Sequence, residues 1–209
     1  MIAETWTFTG KDECARVFEV ALKAFNPHVP TNAHVLEIGC CELDWLTPAS
    51  ESWPEMTFTG IDWRFRKREQ PRVTNIKGDV RVAEFAPHSF DWIVSVSTIE
   101  HIGLGHYNGD PKDEAGDIVA MRNCYRWLKP GGWMYFDVPW NVGEAYRAWG
   151  TSHRVYDAIA IQGRLAAAPW VQRWSGVLNR KAELLTNPPR LEGGENAFYY
   201  LAMWWQKPV

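Results

Sequence analysis

The stretch AHVLEIGCCELDW, from Ala33 to Trp45, places the tightest constraint on what this chain can fold into. Val35, Leu36 and Ile38 surround a single acid, Glu37, and the run ends at Gly39. A strand buried on both faces of a parallel sheet reads as a near-continuous apolar run. A glycine at its end permits a tight turn and lets backbone approach a ligand closely. The stretch therefore reads as the first strand and ligand loop of an α/β sheet. Many α/β chains share that much, and the order of the downstream segments supplies the discrimination.

Ahead of it, Cys14, Val17, Phe18, Ala21, Leu22 and Phe25 recur at helical spacing, which predicts an amphipathic helix over residues 11–25, stopped by the prolines of NPHVP. After it, LDWLTPASES predicts a short helix, MTFTGID a second strand ending in an acid, RVTNIKGD a third and FDWIVSVS a fourth. A longer helix is expected from Asp110 to Leu128, with Asp110 as its cap, Pro111 in its first turn, and Ile118, Met121, Tyr125 and Leu128 on its inner face. Pro130, Gly131 and Gly132 end it, and WMYFDVP is the fifth strand. Strand and helix alternating in this way imply parallel βαβ units. Residues 155–167 predict one more helix, QRWSGVL and FYYLAMWWQ two further strands, and residues 186–196 a surface loop between them.

Composition narrows the function. No segment approaches the roughly 18 consecutive apolar residues of a membrane span, and MIAETWTFTG lacks a basic start followed by an apolar block, so a cytoplasmic protein without a membrane partner is expected. A net charge of −3 gives no support for nucleic-acid binding. Cys14, Cys40, Cys41 and Cys124 form no CxxC pair and read as reduced thiols. The one basic cluster, Arg64, Arg66, Lys67 and Arg68, reads as a solvated helix face, with a phosphate clamp as the lesser alternative. Of the 13 tryptophans, most fall in predicted elements and read as packing, while Trp140 and Trp149 lie in the loop after strand five.

In this order the motifs resemble the class I methyltransferases that use S-adenosylmethionine (SAM). VLEIGC is similar to their first motif, KGDV to the third, FDWIVSVSTIEHI to the fourth, and WLKPGGWMYFDVP to the strand after the helix. Asp62 follows Glu37 at close to the ~20-residue interval at which an acid reaches a ribose diol from the neighbouring strand. The resemblance implies an α/β, Rossmann-like class I methyltransferase fold, a seven-stranded, mostly parallel sheet with helices on both faces and an antiparallel last strand. It implies one domain over residues 1–209: a helical lead-in (1–30), a cofactor-binding core (31–140) and an acceptor-side and C-terminal hairpin region (141–209). It also implies SAM as cofactor, bound by Glu37, Gly39, Cys41, Asp62, Trp63, Asp79, Val80, Ser95 and Ser97. Trp63 would stack on adenine, Asp79 would accept from its amino group, and the Val80 amide would address a ring nitrogen.

The chain departs from that pattern in its glycine loop, where Cys41 and Leu43 stand at positions that are commonly glycine. A Cβ at Cys41 narrows the space for the ribose. The same departure argues against a nicotinamide dehydrogenase, which wants GxGxxG at this turn.

The second informative region is IEHIGLGHYNGDP, joined later by HRVY at His153–Tyr156; it resembles a sparsely characterised methyltransferase-like family associated with surface-glycan synthesis. Methyl transfer needs an in-line nucleophile, and a base that removes its proton raises the rate. His101 lies just past the fourth strand, with an ordinary pKa near 6.5 that suits a base. It is the first catalytic candidate, with Glu100 and His153 beside it, and a loop-anchoring role weighs equally for His101. His106, Tyr107, Trp140 and Arg154 are the acceptor-binding candidates, with an internal salt bridge the alternative for Arg154. Glu100, His101 and His153 are too poor in carboxylates for magnesium, so no metal is expected. The reading is a SAM-dependent methyltransferase acting on a small acceptor, a hydroxyl of a sugar or glycan precursor; the rival is a non-catalytic binding protein that kept the fold.

Overall fold

The computed structural model describes residues 13–40, 46–64, 72–143, 145–194 and 197–209. Helix α1 (Glu13–Phe25) turns Ala15, Val17, Phe18, Ala21 and Leu22 inward. It ends where Asn26, at φ 20°, donates its amide to the Leu22 carbonyl. After it come β1 (His34–Ile38), α2 (Leu46–Ser52), β2 (Thr57–Asp62), β3 (Val73–Lys77), β4 (Phe90–Ser95), α3 (Gly116–Trp127) and β5 (Leu128–Trp140). A ribbon of β6 (Arg147–Trp149) and β7 (His153–Val155) is next, then α4 (Ala158–Ala160), continued by a π-helical turn over Ile161–Leu165. The chain ends with β8 (Val171–Leu178), β9 (Leu184–Leu185) and β10 (Tyr199–Gln206).

The main sheet runs β3-β2-β1-β4-β5-β10-β8-β9. Its first five strands are parallel, and β10 enters antiparallel between β5 and β8. This is the expected class I methyltransferase architecture with one correction: eight strands among the described residues rather than seven, because Leu184–Leu185 adds a short edge beside β8. The β6–β7 ribbon is also absent from the sequence reading, since three-residue strands leave no periodicity to detect. No helix among the described residues is long and apolar enough to cross a membrane.

Two apolar layers flank the sheet. On one face α1 and α2 cover Trp92, Tyr135 and Trp204, with the Trp92 and Trp204 rings 5.8 Å apart. On the other, α3, through Trp127 among others, and the α4 region cover Met134, Phe136 and Trp205. Truncating any one of these enclosed aromatics to alanine would cost about 3–5 kcal/mol.

Helix α3 starts at Gly116 with Ala115 as its cap, which corrects the predicted start at Asp110 and Pro111. The physical reason is competition: the Asp110 carboxylate receives Arg81 at 2.9 Å, and Asp113 donates its amide to Gly103. Its inner face is Ala120, Met121, Cys124 and Trp127, while Ile118 and Tyr125 are only half-buried.

Strand order reverses at β1, with β2 and β3 to one side and β4 and β5 to the other. Such a switch opens a crevice at the carboxyl ends of the strands, where ligands of open α/β sheets bind.

Candidate active site

A cavity of about 300 Å³ occupies that crevice, at the lower end of the range for small-molecule sites. Gly39, at φ +86°, makes the turn after β1, and its amide donates to Ile61 at 2.9 Å. A Cβ there would lie 2.1 Å from the Thr98 hydroxyl oxygen, so a side chain is excluded both by space and by backbone angle. Asp62 ends β2 almost enclosed, its carboxylate accepting the Arg64 amide at 2.7 Å. Ile38, Ile61, Val80, Val96 and Ile102 give the cavity apolar walls, with Trp63 and Asp62 also lining it. Apolar walls beside an acid that can accept two hydroxyls fit a nucleoside.

Asp79 follows β3 on the same lining. Its carboxylate is gripped by its near neighbour Arg81, with Nε at 2.9 and 3.0 Å and Nη2 at 2.7 Å. This qualifies its expected part as the adenine-amino acceptor, because the fork already takes both oxygens.

Past β4 the chain turns sharply. Ser97 sits at φ +42° and lines the cavity. Its amide and hydroxyl both donate to Asp137 Oδ1, at 3.2 and 2.8 Å, and Tyr135 donates to Oδ2 at 2.9 Å. Asp137 is fully buried near the end of β5; burial first, then the neighbouring charge of Glu100, pushes its carboxyl up to about 7.

The turn leads into a 3-10 segment, Ile99–His101. His101 lines the cavity, and its Nδ1 contacts the Ser152 carbonyl. A carbonyl only accepts, so Nδ1 carries the proton and the neutral ring keeps its lone pair on Nε2. Nε2 lies 3.7 Å from Glu100 Oε1. Glu100 is buried and its carboxyl is pushed up to about 8, chiefly by desolvation, with Arg154 opposing.

Of the remaining predicted residues, only Tyr107 belongs to this lining. Arg154 is 1% exposed and holds the 3-10 segment from below, donating to the carbonyls of Glu100 and Ile102 at 3.2 and 2.7 Å. Its assignment to the acceptor is therefore corrected to scaffold, since a guanidinium so enclosed cannot meet a ligand. His153 is buried against Phe198, its Nδ1 3.0 Å from the Ser152 hydroxyl. Trp140 stays in the sheet, paired with Tyr199. Glu37 and Ser95 are buried within β1 and β4, and none of these four lines the cavity. His106 is exposed and stacks on His101 at 5.0 Å, whereas Tyr107 lines the cavity under the Arg64 guanidinium, 3.8 Å away. Cys41, with Leu43, lies outside the described residues, as do Arg66, Lys67 and Arg68.

The structure thus brings together Gly39, Asp62, Trp63, Asp79, Val80, Ser97, His101 and Tyr107. Sequence reasoning missed Thr98, Arg81, Cys14 and Asp137. Arg81 carried one usable signal, two residues beyond Asp79, where an acid side chain and a guanidinium just after it can meet. Asp137 carried none, being one more residue of an apolar strand.

Fold and crevice together define a class I methyltransferase architecture. Similar solved structures include a Burkholderia thailandensis 1,6-didemethyltoxoflavin-N1-methyltransferase with its namesake compound and S-adenosylhomocysteine bound: 17% identity, 85% of this chain and 72% of that one covered, TM-score 0.63. The N-methyltransferase NodS from Bradyrhizobium japonicum WM9, in complex with S-adenosylhomocysteine, is 17% identical, with 94% of this chain and 86% of that one covered, TM-score 0.59. The [4+2]-cyclase SpnF is 14% identical, with 98% and 86% covered, TM-score 0.63. At these identities the likeness is one of fold. No curated protein matches the sequence. Residues 60–197 match the profile of DUF268, described as a Caenorhabditis protein of unknown function, and the chain belongs to that family. The matched span contains both the IEHIGLG and the HRVY segments.

Proposed function

We propose that this protein is a SAM-dependent methyltransferase acting on a small acceptor. The observation that carries the reading is the shared cavity: Asp62 and Trp63 stand on the same lining as His101, so a nucleoside held by the first two presents its far end to the third. Similar structures that hold S-adenosylhomocysteine support the same cofactor. SAM, when bound, supplies a methyl group on a sulfonium.

The chain's own residues would do the rest. Asp62 accepts from the ribose hydroxyls and Trp63 offers its ring to adenine, while Ser97 and Thr98 form the floor between cofactor and acceptor. His101, with its lone pair on Nε2, takes the proton that an acceptor hydroxyl must shed. Glu100 Oε1 lies 3.7 Å from that nitrogen, facing the charge that His101 gains when it takes the proton. Tyr107 offers an aromatic face to the acceptor. An acceptor that loses a proton and presents a flat, hydroxylated face suits a sugar or glycan precursor, and this is the acceptor class we assign. The nitrogen acceptor named for the Burkholderia protein sets the contrast for the test.

The test is calorimetric titration with SAM and S-adenosylhomocysteine of the unaltered chain and of Asp62→Ala, and then transfer of labelled methyl to matched panels of hydroxyl and amine acceptors. Losing a charged acceptor of hydrogen bonds should weaken the nucleoside roughly 10–100-fold. His101→Ala should keep cofactor binding and lose transfer. Absence of binding by the unaltered chain would overturn the reading, and transfer to amines alone would overturn the acceptor class.

A further inference from the structure

We propose that Arg81 is a positioning residue that fastens residues 103–110 as a cover over the cofactor end of the cavity, so that the cofactor enters and leaves only when this fastening opens. The inference rests on the cofactor reading above.

The segment is closed at its base. Asp113 donates its amide to the Gly103 carbonyl at 2.8 Å. A Cβ on Gly103, at φ +81°, would lie 2.2 Å from the Asp113 carbonyl oxygen, and one on Gly116 would lie 2.6 Å from that of Ile102. The two ends therefore meet backbone to backbone, which makes residues 103–113 a compact loop of the Ω kind. Within it, Gly105 at φ +70° and Gly109 at φ +81° are points where the chain can swing.

Its tip is tied to the turns that carry the two cofactor acids, beside the stacking of His106 on His101. Arg81 donates to Asp110 Oδ1 at 2.9 Å and to the Pro111 carbonyl at 2.7 Å while its other edge grips Asp79. Trp63 Nε1 donates to the Asn108 carbonyl at 3.3 Å, and the Arg64 guanidinium lies 3.8 Å over the Tyr107 ring. Tyr107 and Asp110 line the same cavity as Asp62 and Asp79. The Arg81, Asp79 and Asp110 side chains are 6%, 13% and 8% exposed, so solvent screens the tie little. One guanidinium thus holds two carboxylates that would otherwise repel, and the cover is built from the same turns that bind the nucleoside. Ligand recognition and closure are one event in this arrangement.

Asp110→Asn isolates the tie, because Arg81 keeps its grip on Asp79. Stopped-flow chase measures S-adenosylhomocysteine dissociation from the unaltered chain, from Asp110→Asn and from Arg81→Lys, which keeps the charge and loses the fork. Dissociation is expected to accelerate roughly tenfold or more in both variants, with association accelerated alongside. Trypsin cleavage after the exposed Lys112 gives a second readout, slowed by S-adenosylhomocysteine in the unaltered chain and not in Asp110→Asn. Binding with unchanged dissociation rates in both variants would overturn the cover and leave the cofactor reading standing. Failure of the unaltered chain to bind would overturn both.

Discussion

Replacing Glu100 by glutamine tests the electrostatics beneath the site. The residue is 2% exposed, Oε2 has no hydrogen-bond partner among the described residues, and desolvation moves its pKa from 4.5 to about 8 against the opposing pull of Arg154. Because the folded value lies above the unfolded one, the folded chain keeps this proton longer. The stability it contributes is complete below pH 4.5 and is lost as the pH rises through about 8. At 1.36 kcal/mol for each tenfold change in proton affinity, the loss amounts to on the order of 5 kcal/mol. That is a large share of the roughly 5–15 kcal/mol that holds a folded domain together. Glutamine copies the shape of the neutral carboxylic acid and cannot ionise, so Glu100→Gln should match the unaltered chain at pH 5 and exceed it by several kcal/mol at pH 9. The substitution also removes the charge that helps lift Asp137, which adds in the same direction. Urea unfolding monitored by tryptophan fluorescence at half-unit steps from pH 4.5 to 9 would show the two curves diverging. Parallel curves would refute the assignment of a neutral, buried Glu100.

Contacts at the site dictate three further outcomes. Gly39→Ala should destabilise by more than about 2 kcal/mol, through both the left-handed backbone and the 2.1 Å approach to Thr98, and pairing it with Thr98→Ala should recover part of the loss in thermal melts. Arg154→Met removes a buried cation from two carbonyls and from Asp117, 3.8 Å away, and should cost about 3–5 kcal/mol in denaturant unfolding; a weakened acceptor KM with stability intact would instead restore its substrate role. Asp137→Asn should weaken S-adenosylhomocysteine binding by loosening Ser97 from φ +42°, and Ser97→Gly in the same chain should recover it, since glycine holds that angle unaided. Calorimetric Kd values that ignore the second substitution would sink this role for Asp137.

The sheet was legible because its information is local and repeated. Val35 to Ile38, Phe58 to Ile61 and Ile93 to Val96 are largely apolar stretches, buried in or at the end of strands that pair in parallel along both edges. What failed was decided by partners distant in sequence. The Asp110–Pro111 signature for a helix start was sound by local rules, yet Arg81, 29 residues earlier, took the carboxylate and α3 began only at Gly116. Likewise the two-residue β9 exists because β8 offers it an edge, a fact no window over Leu184 contains.

The site divides along the same line. Gly39 and Asp62 were legible because a strand end dictates what stands there, and each position follows from its own strand. His153 and Arg154 were misplaced because the sequence puts them on a loop just ahead of a helix expected from residue 155, whereas pairing of β7 with β6 and the bridge from Trp140 to Tyr156 carry the whole segment beneath the 3-10 turn. There Arg154 becomes the support of His101 rather than a hand for substrate. The two segments that stood out in the sequence, IEHIGLGHYNGDP and HRVY, are thereby joined physically: Arg154 of the second holds the carbonyls of Glu100 and Ile102 in the first, and the Ser152 carbonyl just ahead of the second receives His101 Nδ1. A residue type chosen for charge in one segment thus answers backbone geometry in the other, a relation that spacing alone cannot express.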